Sequence, residues 1–143
     1  MTVAFRNVDA SPTDPVATWP YEGMVAVIER GLLADWQPLV MEIRLRPWGA
    51  TARRVEAYLA YAEPTSTTRL LELLLERARA DAERGERAEV AARVRAAVEA
   101  SGLTAAAFAA AIGTSPSRLS TYATGRVVPS ATLLVRMERV AAG

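Results

Sequence analysis

The 143-residue sequence has no cysteine, no histidine and no lysine. Without cysteine and histidine there are no disulfides, no thiolate or imidazole catalysis, and none of the usual ligand sets of zinc, haem or iron–sulfur centres, so no cofactor and no metal is expected. An enzyme built from this chain would have to work with carboxylates, hydroxyls and arginine alone. Long hydrophobic runs are missing as well, since no stretch reaches the ~18 apolar residues of a membrane span. The opening residues MTVAFRNVDASPTDP lack the basic-then-apolar order of a secretory signal. The expectation is a cytoplasmic, non-enzymatic chain.

Apolar residues make up 51% of the sequence and charged residues 23%, the balance of a folded soluble protein rather than a disordered tail. The length suits one ordinary domain or two small ones. The net charge of +1 announces no polyanion partner, but its distribution is uneven. Residues 1–87 hold eleven Arg against thirteen Asp plus Glu, and residues 88–143 hold six Arg against three Glu, so the C-terminal part is net +3 and the remainder net −2. A mildly basic module at the end of the chain follows. That all seventeen basic residues are Arg is better explained by codon usage than by phosphate recognition.

Residues 1–18 carry Pro12 and Pro15 among polar residues and show no sustained period, which predicts a flexible arm. From Trp19 onward the apolar spacing is helical and strand-like alternation is never sustained, so the expected class is all-α. A first helical domain is expected over 19–84. Pro20 opens its first helix and Gly31 closes it with a left-handed cap; Asp35 caps a second helix with Pro38 in its first turn and Leu39, Val40, Ile43 and Leu45 facing inward before Pro47. A third starts near Ala50, turns Val55, Tyr58, Leu59 and Ala62 to one side and ends at Pro64. Thr67 or Thr68 then caps a leucine-rich helix, whose Leu70, Leu71, Leu73, Leu74 and Leu75 predict burial from several sides. Beyond it the alternating Glu and Arg of 76–87 read as a solvated spacer with Gly85 as a joint.

The second domain is expected over 88–143. A helix through Val90, Val94 and Val98 ends at Gly102, and Thr104 caps a short helix with Phe108, Ala109 and Ile112 inside. Gly113 supplies the positive φ of a tight turn, and Ser115 followed by Pro116 opens the next helix, with Leu119 and Tyr122 buried. Gly125 ends that helix, and Ser130 caps a last one carrying Leu133, Leu134, Met137 and Val140. Two short helices joined through glycine form a helix-turn-helix unit, in which the small Ala109 lets them cross closely.

These positions resemble the Cro and lambda-repressor-like, or XRE-type, helix-turn-helix family: Gly102-Leu103-Thr104, Ala109, Gly113, Ser115, Leu119, Tyr122, Gly125, Arg126 and Pro129-Ser130 match its pattern over about 55 residues. The resemblance implies a lambda-repressor-like domain that binds double-stranded DNA as a homodimer. It places Ser115, Pro116, Ser117, Arg118, Ser120, Thr121 and Arg126 at the DNA. Departures are Ala105, where members often carry a phosphate-binding Gln, and Ala123-Thr124, where Glu-Asn commonly stands. Affinity then falls more heavily on helix N-terminal amides, Arg118 and Arg126.

The region before it loosely resembles an unnamed helical region of actinobacterial regulators, with a role in dimerisation or in effector or partner binding. Trp19, Tyr21, Trp36, Trp48, Tyr58 and Tyr61 could line a ligand pocket, though aromatics at helical spacing are more often core. The pairs Glu42/Glu56 and Glu22/Glu29 read as solvated surface rather than as acid and base. The implied function is a sequence-specific transcriptional regulator, associated with the nucleoid when bound. Alternatives are an antitoxin whose first domain masks a toxin, and a protein-interaction adaptor without DNA binding.

Overall fold

A computed structural model describes residues 4–5 and 10–143. Among the described residues the secondary structure is entirely helical: a 3-10 turn, Val16–Thr18, and helices α1 (Tyr21–Arg30), α2 (Leu33–Leu45), α3 (Ala50–Tyr61), α4 (Ser66–Ser101), α5 (Ala105–Ile112), α6 (Pro116–Ala123) and α7 (Ala131–Ala141). The chain divides into two compact units, Met1–Ala82 and Glu83–Gly143. No single helix among the described residues is long and apolar enough to cross a membrane.

In the first unit Met24, Ile28, Leu39, Ile43, Ala52 and Val55 of α1 to α3 close on Leu71, Leu75 and Ala78 of α4. Part of the expected arm, residues 1–3 and 6–9, lies outside the described residues. The remainder is engaged: Phe5 meets Trp19 edge to face at 5.2 Å, and the Trp19 indole donates to the Asp14 carbonyl at 3.0 Å. Trp19 is buried, and Trp36 and Tyr58 pack at the core margin, but Tyr21, Trp48 and Tyr61 are exposed. Fewer of the aromatics are core than their spacing suggests. Leu45, expected inside, is also exposed at the end of α2.

Several local expectations are corrected. Gly31 is extended, not left-handed. Glycine suits it because a Cβ would collide with the Val27 carbonyl oxygen, which accepts the Gly31 N–H. Asp35 is the third residue of α2 rather than its cap, and reaches back to accept the Leu32 N–H at 2.8 Å. Pro38 consequently sits inside the helix. Thr65, not Thr67 or Thr68, precedes α4, and Thr65 and Thr68 each accept the other's backbone N–H. Leu70 and Leu73 are half exposed, so the leucine-rich turns are buried on one side only.

The largest correction concerns Gly85. The leucine-rich helix, the charged run and the helix from Ala88 are one continuous 36-residue helix, α4. A single glycine in a helix interior costs only about 1 kcal/mol relative to alanine, and the Ala, Arg and Glu around it are strong helix formers. Ion pairs such as Arg77–Asp81, four residues apart at 3.3 Å, add support.

Candidate nucleic-acid interface

The second unit is built on Phe108, Ala109 and Ile112 of α5, which pack against Val94 and Ala97 of α4, Leu119 and Tyr122 of α6, and Leu134 and Met137 of α7. Each short helix starts on a side-chain cap: Thr104 accepts the Ala107 N–H, Ser115 the Arg118 N–H and Ser130 the Leu133 N–H, each at 3.2 Å. All three caps stand where the sequence places them, as does Gly113, whose φ of 80° turns the chain from α5 toward α6. A residue with a Cβ is disfavoured there by backbone geometry alone, since the nearest outside atom would be 3.8 Å away. Ala109 is fully buried at the α5–α6 crossing.

With Leu119 and Tyr122 turned inward, α6 presents Pro116, Ser117, Arg118 and Ser120 to solvent, with Thr121 half-buried beside them. Ser115, at its N-terminus, is exposed too. The Ser115 and Ser117 hydroxyls lie 3.2 Å apart, so the capping serine also orients its neighbour. Thr121 donates its hydroxyl to the Arg118 carbonyl at 2.6 Å, which leaves its methyl as the group free for outside contact. Arg126 is exposed in the loop after α6 and, like Arg118, has no ion-pair partner among the described residues.

Two arginines that sequence reasoning passed over position this surface. Arg136 of α7 donates to the Ile112 carbonyl at 2.9 Å, satisfying the open end of α5 beside the turn. It shares a shallow depression of about 440 Å³ with Arg118, Val127 and Ser130. Arg95 of α4 donates to the Ala123 carbonyl at 2.6 Å and so holds the last turn of α6. The only available signal is their distant partners, 24 and 28 residues away, which no local pattern reveals. Arg93 is taken up by Glu138 at 2.9 Å, whereas Arg95 and Arg136 donate to neutral carbonyls and keep their charge beside the exposed Arg118, Arg126 and Arg139.

Three of the four carboxylates weighed as acid and base are engaged by other side chains. Glu42 is bound by Arg46 at 2.9 Å, and Glu29 accepts from Tyr58 at 3.3 Å. Glu56 is held by Arg79, whose hydrogen bond keeps its carboxyl below the usual range. Burial, then the Glu29 charge, pushes the Tyr58 phenol up. Among the described residues no group of three or more carboxylates gathers as a metal site would need.

Two short helices crossed through a left-handed glycine, the first braced at its end by Arg136 and the second capped by Ser115, braced at its last turn by Arg95 and exposed along one face, define a helix-turn-helix domain. The model of a helix-turn-helix domain family matches residues 89–142, wholly inside this unit. No curated protein and no solved structure matches the chain.

Proposed function

We propose that the chain is a sequence-specific transcriptional regulator of XRE type that reads an operator as a homodimer. The observation that carries this reading is the outer face of α6, where short polar and apolar side chains stand over a helix anchored by Leu119 and Tyr122 and bordered by unpaired arginines. In this geometry the N-terminal end of α6 meets base edges in the major groove. Pro116, Ser117 and the Thr121 methyl read bases, with apolar contact favouring thymine. Ser115, Ser120, Arg118 and Arg126 serve the backbone, and the helical domain over 19–84 supplies dimerisation.

Carrying neither histidine nor cysteine, the chain has no evident chemistry to perform on the duplex and acts by occupancy, inside the cell. The test is selection from a pool of random duplexes followed by sequencing. Recovered sites are expected to carry two related half-sites about one helical turn, roughly 34 Å, apart. Each half-site should hold at least one thymine. A pool that emerges without enrichment refutes sequence-specific reading.

A further inference from the structure

Among the large apolar side chains that the first unit leaves exposed, several gather along a groove between α2 and α4. Along one side of α2, Leu33 and Met41 project with 83% and 69% of their surface exposed. Leu70 and Leu73 of α4 are about half exposed, and Leu70 lies across the same groove. Between the two helices is a hollow of about 750 Å³ whose floor and walls include the half-buried Trp36, Val40 and Leu74. Leucine and methionine in the core of a small unit are ordinary; large ones standing together in water are a mark of an interaction surface.

We propose that this groove is the homodimer interface, filled by the same groove of a second copy across a two-fold axis. The inference rests on the dimeric DNA-binding reading and assigns it a surface. Three observations select a second copy as the occupant. The groove is self-complementary in shape, because one face carries both the projecting Leu33 and Met41 and a hollow able to receive such side chains, as an isologous contact requires. Its lining carries a single charged residue, Arg44, among mostly apolar neighbours. A nucleic acid or a strongly charged partner would find little to match.

The third observation is size. A large aliphatic side chain carries about 100 Å² of apolar surface. The exposed fractions of Leu33, Met41 and Leu70, with the half-buried walls of the hollow, therefore offer on the order of 300 Å². A standard interface buries roughly 800 Å² per partner, of which about 57% is apolar, or near 450 Å². The groove supplies most of the apolar part that a stable dimer needs.

The experiment uses the full chain. Sedimentation across a wide concentration range is expected to show the 15.4 kDa chain doubling in mass. Met41→Glu and Leu70→Glu, both at exposed positions, should keep the helical circular dichroism signal and shift dissociation to at least tenfold higher concentration. Because the chain has no cysteine, Leu33→Cys, Met41→Cys and Leu70→Cys each introduce a single thiol, and diamide oxidation should link at least one of them into a disulfide dimer in high yield. Tyr61→Cys, still more exposed but outside the groove, should not link. A chain that stays monomeric throughout, a dimer indifferent to both glutamates, or linking at Tyr61→Cys equal to that in the groove overturns the assignment. Binding to a single half-site duplex is measured alongside: its presence keeps the DNA reading intact when the interface fails, and its absence in wild type removes that reading independently.

Discussion

Substituting Gly85 by alanine separates two descriptions of α4 that differ in sign. In the continuous helix Gly85 has ordinary helical geometry and an added Cβ meets no atom within 4 Å. Packing therefore contributes nothing, and the whole effect is the loss of glycine's backbone entropy penalty in a helix interior, about 0.5–1 kcal/mol in favour of alanine. For a chain of this size that is a rise in Tm of roughly 1–4 °C. If Gly85 were a joint held at positive φ, alanine would instead cost about 1–2 kcal/mol and Tm would fall by a comparable amount. Gly85→Pro sharpens the contrast, since proline inside a helix removes a hydrogen bond and clashes with the preceding turn at a cost of ~3 kcal/mol or more. Thermal and urea unfolding followed by circular dichroism at the helical band measure all three proteins. A Gly85→Ala chain less stable than wild type would refute the continuous helix and the reasoning drawn from it.

Other predictions address the reading head and one surface pair. Arg126→Ala should lower the slope of log affinity against log salt by about one unit, as loss of one phosphate contact does, and an unchanged slope would take Arg126 off the backbone. Ser117→Ala with Thr121→Ala should erode the preference for operator over random duplex by up to ~1–3 kcal/mol per lost base contact, at the low end for such short side chains, while random-duplex affinity holds; equal losses on both would move the reading element elsewhere. Arg136→Ala, which uncaps α5 at the Ile112 carbonyl, should cost about 1 kcal/mol in urea unfolding and weaken DNA binding more than Arg139→Ala. Glu56 has a folded pKa below its ordinary 4.5, so its contribution is complete above that value and is lost as pH falls through the lower folded one. The stability gap between wild type and Glu56→Gln should thus be widest at neutral pH and close in acid; because both side chains are partly solvated the gap is small, and a gap that widens in acid contradicts the assignment.

The helix-turn-helix unit was legible almost residue by residue because its determinants are local. A serine or threonine three residues before an amide it caps, a glycine at the left-handed turn and a proline at the first helical position all announce themselves within a few positions, as at Thr104, Gly113, Ser115-Pro116 and Ser130. What escaped reading was set over distance. The braces from Arg95 and Arg136 cross more than twenty residues, and the half exposure of Leu70 and Leu73 depends on where α2 and α3 run out of surface to cover them. Gly31 and Gly85 misled for opposite reasons. The first is demanded by a close carbonyl rather than by its dihedral, and the second is tolerated because nothing in a run of good helix formers needs it to bend.

Helix α4 lends Leu71, Leu75 and Ala78 to one core and Val94 and Ala97 to another, and between them every residue from Glu83 to Glu89 is exposed. Starting a helix is the improbable event, with a nucleation factor near 10⁻³, equivalent to about 4 kcal/mol, whereas each added residue costs little. Whichever unit closes first therefore leaves its neighbour a helix already begun, to be extended rather than started. The folding of the two units is linked through a backbone they both inherit, and a break in those few exposed turns would return the nucleation barrier to each of them.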